Sequence, residues 1–366
     1  MKRLGLVFLT ILIFLLPVSA GAFETSAESA VLLERGSGRI VCSKNADKRM
    51  PMASTTKIMT ALVAISSADP DGIAEISKNA AGTEGSSMYL KAGEKVTLRE
   101  LLYGLMLSSG NDAAVAVAEH ISGSTAAFAE LMNKKAAQLG LENTHFENPN
   151  GLDSPGHYTT AAELAKIMDA ALSNELFREI TSCASKKTER ALYINHNKLL
   201  SMYDGVYSGK TGFTKKDGRC LVSACERNGF SLIAVTLNDP DDWNDHMKMY
   251  DAAFSEYGLY TAARGGAPCG EGKTETGETI PLIFGADMSL YIKEGDGQRI
   301  EIRFDLPGAV ALPVHAGEGV GTAELWLDNA KYAECSVLSG ADAEKKEPTF
   351  WDISEKTVRR WLEFFR

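Results

Sequence analysis

The chain has no basic stripe: its 366 residues carry 38 Lys and Arg against 48 Asp and Glu, for a formal net charge of -10. Nucleic acid is held by clustered Lys and Arg that neutralise phosphate, so nucleic acid is excluded as an expected partner. No Cys-x-x-Cys occurs. The six cysteines (Cys42, Cys183, Cys220, Cys225, Cys269, Cys335) are scattered, which speaks against a structural zinc site, and neither a metal nor a cofactor is expected. Cys220 and Cys225 have odd separation on an expected strand and would point to opposite faces. They are poorly placed to bridge each other, and most of the six are expected to be buried apolar thiols. The apolar run from Leu4 to Leu16 is too short to span a bilayer, since a spanning helix takes about 20 residues. Lys2 and Arg3 before it, with Pro17, Ser19, Ala20, Gly21 and Ala22 after it, make residues 1–22 a secretory signal. Cleavage after Ala20 and cleavage after Ala22 both fit the small-residue pattern, and the mature chain is expected outside the cytoplasm.

What is present is globular material. Apolar residues make up 45% of the chain and charged ones 23%, enough for real cores, and the length predicts two folded units with short appendages. The segments Ala30 to Glu34 and Arg39 to Cys42 read as an opening hairpin. Helical spacing begins at Ser54 and recurs over Leu98 to Ile121, Ala126 to Leu139 and Thr160 to Leu172. Strands return at Tyr207 to Thr214, Arg219 to Cys225 and Phe230 to Leu237, punctuated by Lys216-Asp217-Gly218 and Asn228-Gly229, and Trp243 to Tyr257 reads as a closing helix. This order predicts an α/β sandwich with an antiparallel sheet and a helical insertion, covering residues 23–262. Gly265-Gly266-Ala267-Pro268 reads as a linker, after which residues 270–346 form short strands of a small β-sandwich, with Gly295-Asp296-Gly297 turning a hairpin. Residues 350–366 form an amphipathic helix with Trp351, Val358, Trp361, Leu362 and Phe365 on one face. It suits a membrane surface, which is the expected partner, with docking on the protein itself as the alternative.

Three short motifs carry chemistry. In Ser54-Thr55-Thr56-Lys57 the serine and lysine lie one helical turn apart, so a lysine of depressed pKa could take the serine proton. The same helix start offers free backbone N–H groups to polarise a carbonyl. Ser109-Gly110-Asn111 falls where one helix stops and another begins, offering a hydroxyl for proton relay and an amide for a peptide carbonyl. Lys210-Thr211-Gly212 lies within an expected strand, where glycine lets an extended peptide approach the main chain. Each motif is common alone; their order and contexts together are not.

That set, with Pro51 to Leu62, Glu84-Gly85-Ser86-Ser87, Leu101 to Leu105, Asn143-Thr144-His145-Phe146 and Ser208 to Thr214, resembles the low-molecular-mass penicillin-binding D-alanyl-D-alanine carboxypeptidases, including sporulation-type relatives. The likeness runs from Glu28 to Tyr257 and, more loosely, onward. It implies a β-lactamase/transpeptidase-like fold followed by a small all-β domain. It also implies a serine peptidase that removes the terminal D-alanine from peptidoglycan stem peptides and is acylated by β-lactams. Carried over, Ser54 is the nucleophile, Lys57 its base and Ser109 the relay to the leaving D-alanine. Asn111 holds the substrate amide, Lys210 and Thr211 face the terminal carboxylate, and Gly212 and Phe213 complete the substrate-binding residues. The N–H groups of Ser54 and Phe213 form the oxyanion hole. Some relatives place an arginine beyond Lys-Thr-Gly for that carboxylate, and Asn238 to His246 contains none. His246 is a candidate by position, with a solvated helix residue as the alternative. His145, His157 and His196 are expected to satisfy local hydrogen bonds. A β-lactamase, a transpeptidase or endopeptidase, and a non-catalytic wall-binding protein remain the rival readings.

Overall fold

The structure is a computed structural model describing residues 24–345 together with 354, 357–361 and 363. The expected signal at residues 1–22 lies outside them, as does most of the apolar face expected for the C-terminal helix. Of that face, Val358 and Trp361 are described and exposed. The chain divides into two compact units, residues 1–253 and 254–366.

In the first unit the opening hairpin pairs β1 (Ser29–Glu34) with β2 (Ile40–Lys44). A 3-10 turn over Ala53–Thr56 then runs directly into α1 (Lys57–Ser67), whose first eight residues are all buried. Next come β3 (Ile73–Glu75), α2 (Lys78–Ala81), β4 (Lys95–Thr97), α3 (Leu98–Leu107), α4 (Asn111–Ser122) and α5 (Thr125–Gln138). The expected stretch Leu98 to Ile121 is two helices, broken at Ser109, which adopts φ +58. After α6 (Ala161–Leu172) comes α7 (Glu175–Ser182), capped by the Asn174 side chain, which the sequence reading did not anticipate. Then β5 (Ser185–Lys187), β6 (Leu192–Ile194) and α8 (Leu199–Met202) lead into the meander β7 (Val206–Thr214), β8 (Gly218–Arg227) and β9 (Phe230–Leu237), and α9 (Asp242–Glu256) follows.

The main sheet has the order β2-β1-β9-β8-β7, antiparallel throughout. Its two faces follow from period-2 alternation. Val31, Leu33, Val222, Ala224, Ile233 and Val235 join the core shared with α1, α3, α4 and α6. The residues between them turn to α9, where Ser223 and Thr236 meet His246. Covered on both faces, β1 and β9 are buried almost throughout, whereas β7 keeps a free edge in the sheet order. That edge is what the site uses.

The second unit begins with β10 (Tyr257–Ala263), so Tyr257 starts a strand and does not end a helix. It pairs with β13 (Met288–Lys293). Gly265 to Pro268 therefore lies within this unit, in the turn leading from β10 to β11 (Pro268–Lys273). The other strands are β12 (Thr279–Phe284), β14 (Ile300–Asp305), β15 (Gly319–Leu327) and β16 (Ala330–Ser339). They form a five-stranded sheet, β11-β12-β16-β15-β14, which shares a core of Leu282, Leu290, Leu325 and Val337 with the two-stranded one. The expected hairpin at Gly295-Asp296-Gly297 is not formed. β13 pairs with β10, β14 pairs with β15, and the turn carries the chain from one sheet to the other. Among the described residues no helix is long and apolar enough to cross a membrane. All six cysteines are free thiols; Cys220, Cys225 and Cys335 are buried, and the other three are partly exposed.

Candidate active site

Ser54 sits in the turn that enters α1, half-buried, behind Ala53 at φ +46. A left-handed alanine is strained and persists only when its surroundings over-determine it. Here they do: Thr56 Oγ1 donates to Ala53 O at 2.8 Å, and Thr55 Oγ1 donates to Met52 O at 2.6 Å. Behind Thr56, His157 Nδ1 accepts the Glu147 N–H at 3.0 Å, so the ring proton is on Nε2 and points to Thr56 Oγ1 at 2.7 Å. Burial holds the His157 imidazole well below its ordinary range, down to about 4.

Lys57 has no exposed surface. Its Nζ lies 2.8 Å from Ser54 Oγ, 2.7 Å from Asn111 Oδ1 and 2.5 Å from the Asn150 carbonyl. Burial, and then the charge of Lys210, push its pKa well below the usual amine range, opposed in part by Asp112. A neutral amine keeps two protons and one lone pair. In that form the two carbonyl acceptors would take the protons, which would leave the lone pair for Ser54 Oγ.

Two loops fix this geometry. The segment 148–152 is braced from within, with Asn148 Oδ1 accepting Gly151 N–H and Asn150 Oδ1 accepting Leu152 N–H. It presents Pro149 O to Thr60 and Asn150 O to Lys57. Gly151 has φ +82, and a Cβ there would lie 2.0 Å from Ala53 O, so only glycine fits. On the other side, the buried Asp112 carboxylate accepts from Ser87 Oγ and from the N–H groups of Met88 and Leu90, which ties down the stretch 84–90. Asn111 donates its Nδ2 to Glu84 O at 2.8 Å while its Oδ1 serves Lys57. Each carboxamide atom retains one further hydrogen-bonding position.

The edge strand β7 brings the third motif. Lys210, 1% exposed, places Nζ 3.0 Å from Ser109 Oγ and 2.8 Å from Thr211 O. Burial lowers its pKa to about 7. Gly212 is where strand and nucleophile turn touch: a Cβ on it would sit 3.0 Å from Ser54 N and 3.1 Å from Ala53 Cβ. Ser54, Ser109, Thr211, Gly212 and Phe213 line one cavity of about 420 Å³, together with Ser86, His196, Arg219, Asp242 and Trp243. Lys57, Asn111 and Lys210 are joined to Ser54 and Ser109 by the hydrogen bonds just given.

Sequence reasoning missed Asn150, Ser86, Arg219 and Trp243. The Asn-Pro-Asn-Gly run at 148–151 was a legible turn signal; the others depend on register and packing. His246 is corrected on both alternatives. It neither faces the cavity nor meets solvent, being 0% exposed and hydrogen-bonded to Ser223 and Thr236 between α9 and the sheet. His145 bonds to Gly156 O, but His196 lines the cavity. Glu163 lies in the first turn of α6, its N–H donating to the Thr160 side chain that caps the helix, and its carboxylate accepts the N–H groups of Glu142 and Asn143 and the Thr144 hydroxyl.

Comparison with known proteins identifies the family and the fold. The family profile described as D-alanyl-D-alanine carboxypeptidase matches residues 17–241, and that of the penicillin-binding protein 5 C-terminal domain matches residues 268–345. The chain is 34% identical to the D-alanyl-D-alanine carboxypeptidase DacF of Bacillus subtilis, over 92% of this chain and 90% of that one. Penicillin binding protein 5 from Haemophilus influenzae is similar in structure, with a TM-score of 0.70 and 27% identity, covering 89% of this chain and 99% of its own. A variant of a Streptomyces DD-transpeptidase, 32% identical with a TM-score of 0.62, covers 64% of this chain and 100% of its own. The antiparallel sheet with its helices, followed by a β domain, is thus the fold of these enzymes, and the chain belongs to the D-alanyl-D-alanine carboxypeptidase family of serine peptidases, low-molecular-mass penicillin-binding proteins.

Proposed function

We propose that the chain hydrolyses the terminal D-Ala-D-Ala bond of peptidoglycan stem peptides through an acyl-enzyme on Ser54. The observation that carries this is Lys57, fully buried and lowered in proton affinity by that burial, with Nζ 2.8 Å from Ser54 Oγ. Lys57 takes the serine proton as Oγ attacks the penultimate carbonyl, whose oxygen is received by the N–H groups of Ser54 and Phe213. The C–N bond breaks as Ser109, hydrogen-bonded to Lys210, passes a proton to the departing amine. Asn111 holds the substrate amide; Thr211 and Lys210 face the carboxylate, and Gly212 lets the substrate approach the β7 main chain. Water, deprotonated by Lys57, then frees the shortened peptide. β-Lactams acylate the same serine, because their ring amide presents the same bond. Class A β-lactamases use an additional glutamate to activate the deacylating water; Glu163 is committed to backbone donors and to the Thr144 hydroxyl, which favours a long-lived penicilloyl adduct over β-lactamase turnover.

The export pattern at residues 1–22 and the amphipathic segment 350–366 support action at the outer face of the cell membrane. Deleting residues 350–366 should lower the membrane-bound share on fractionation; an unchanged share would sink the anchor. The test of the chemistry is mass spectrometry of products from a cell-wall pentapeptide. Wild type should release one D-alanine and Ser54→Ala none. Equal release by both proteins would remove Ser54 as nucleophile.

A further inference from the structure

A peptide that ends in a carboxylate needs a fixed positive charge at the far end of the site. Lys210 is a weak candidate for all of it, because it is buried and already engaged by Ser109 and Thr211 O. The stretch after β9 supplies no arginine. The neighbouring strand does.

Arg219 stands on β8 directly opposite Phe213 of β7, and by strand alternation it shares a face with Thr211. It lines the same cavity as Ser54, Ser109 and Thr211. Its guanidinium is held at two points. Nη2 donates to Asp242 Oδ1 at 2.6 Å, and Cζ lies 5.6 Å from the centre of the Trp243 ring. Asp242 is itself 3% exposed and fixed by the Trp243 N–H, so the carboxylate that orients Arg219 cannot swing away. The Arg219 Nε is buried and has no hydrogen-bond partner among the described residues. A guanidinium offers five N–H donors in a planar fork matched to a carboxylate, and it remains charged at every working pH.

We propose that Arg219 is the specificity-determining counter-charge for the substrate's terminal carboxylate, with Asp242 and Trp243 as the residues that position it. The inference rests on the Ser54 reading above and deepens it. Substrate lying along the β7 edge meets Thr211 first and the arginine fork next, reached across Phe213. The position that relatives fill from beyond the sheet is here filled from within it, and the acidic residue at the start of α9 serves the arginine.

The test uses two acyl-D-Ala-D-Ala peptides that differ only in ending as carboxylate or carboxamide, with kcat/KM measured for wild type, Arg219→Gln, Arg219→Lys and Asp242→Asn. A charge-assisted contact of this kind corresponds to about 10- to 100-fold in kcat/KM. Wild type should prefer the carboxylate by that factor, and the preference should shrink as salt is raised. Arg219→Gln should lose most of it through slower turnover of the carboxylate peptide, leaving the part that Lys210 and Thr211 supply. Arg219→Lys should keep part of the preference, and Asp242→Asn should lower the carboxylate-to-carboxamide ratio. A ratio unchanged in Arg219→Gln, an equal loss on both peptides, or a wild type without preference would each overturn the proposal. If Arg219→Gln does not fold, the wild-type ratio with its salt dependence and the Arg219→Lys ratio decide. Failure of the Ser54 reading shows separately, as release of D-alanine by Ser54→Ala.

Discussion

Gly212→Ala is the sharpest test of how strand and nucleophile fit together. The added Cβ would meet Ser54 N at 3.0 Å and both Ala53 Cβ and Met52 O at 3.1 Å. Carbon contacts normally relax to about 3.5 Å or more, so β7 or the 53–56 turn must yield by a few tenths of an ångström. None of the three atoms is the end of a flexible side chain. Overpacking of this kind costs about 1–3 kcal/mol in stability. The catalytic cost is separate, because the shift moves Thr211 and Phe213 relative to Ser54. A misplacement of about 1 Å can cost roughly 100-fold, so a few tenths should cost on the order of tenfold in kcat/KM. The assay is D-alanine release from a pentapeptide alongside denaturant unfolding, with Gly308→Ala as control, since a Cβ at Gly308 meets nothing within 4 Å. Turnover of Gly212→Ala within about twofold of the control would refute the claim that this contact sets the site's geometry.

Gly151→Ala should be harsher, combining a left-handed backbone with a Cβ 2.0 Å from Ala53 O; a loss of about 2–5 kcal/mol in urea unfolding is expected. The acylation rate of wild type should fall as pH drops through the depressed Lys57 pKa, because the neutral amine is the base, and should level off well below the ordinary lysine range. A rate still climbing at pH 10 would contradict a buried, low-affinity Lys57. His157, lowered from about 6.5 in the unfolded chain to about 4 in the fold, binds its proton more readily when unfolded. Its contribution is present above pH 6.5 and is lost as pH falls toward 4, by up to about 3 kcal/mol. Unfolding measured between pH 7 and 4.5 should show a shallower decline in His157→Gln.

Much of the site could be read locally. Ser54 and Lys57 are three residues apart on one helix entry, and Ser109 to Asn111 lies at a helix break, so short spacings placed them. Lys210 to Phe213 sit on a strand whose hairpin partners were visible in the turn residues. What could not be read is what connects these pieces. Asn150 O reaches Lys57 over 93 residues and Ser109 reaches Lys210 over 101, and no periodicity carries such pairings. Arg219 escaped notice for the same reason: only the register Phe213 to Arg219 turns a strand residue into a wall of the cavity. His246 was misjudged because which side of α9 faces the sheet depends on its packing against Ser223 and Thr236. In the second unit, strand order decided what Gly295 does, and order within a sandwich is a non-local property.

The two buried lysines make the Ser109 step testable. The charge of Lys210 lowers the proton affinity of Lys57, and by linkage a proton gained at Lys57 lowers the proton affinity of Lys210 equally. When Ser54 attacks, Lys57 becomes charged, and Lys210, poised at about 7 at rest, becomes the better donor. On the proposed mechanism Ser109 Oγ, 3.0 Å from Lys210 Nζ, is the path to the leaving amine. An amide nitrogen must be protonated before it can depart, whereas a thiolate leaves unprotonated. Ser109→Ala should therefore slow a D-Ala-D-Ala peptide by about 100-fold or more, while sparing an acyl-D-alanyl thioester that presents the same carbonyl to Ser54. If thioester and peptide fall together, Ser109 supports the geometry of the site and carries no proton.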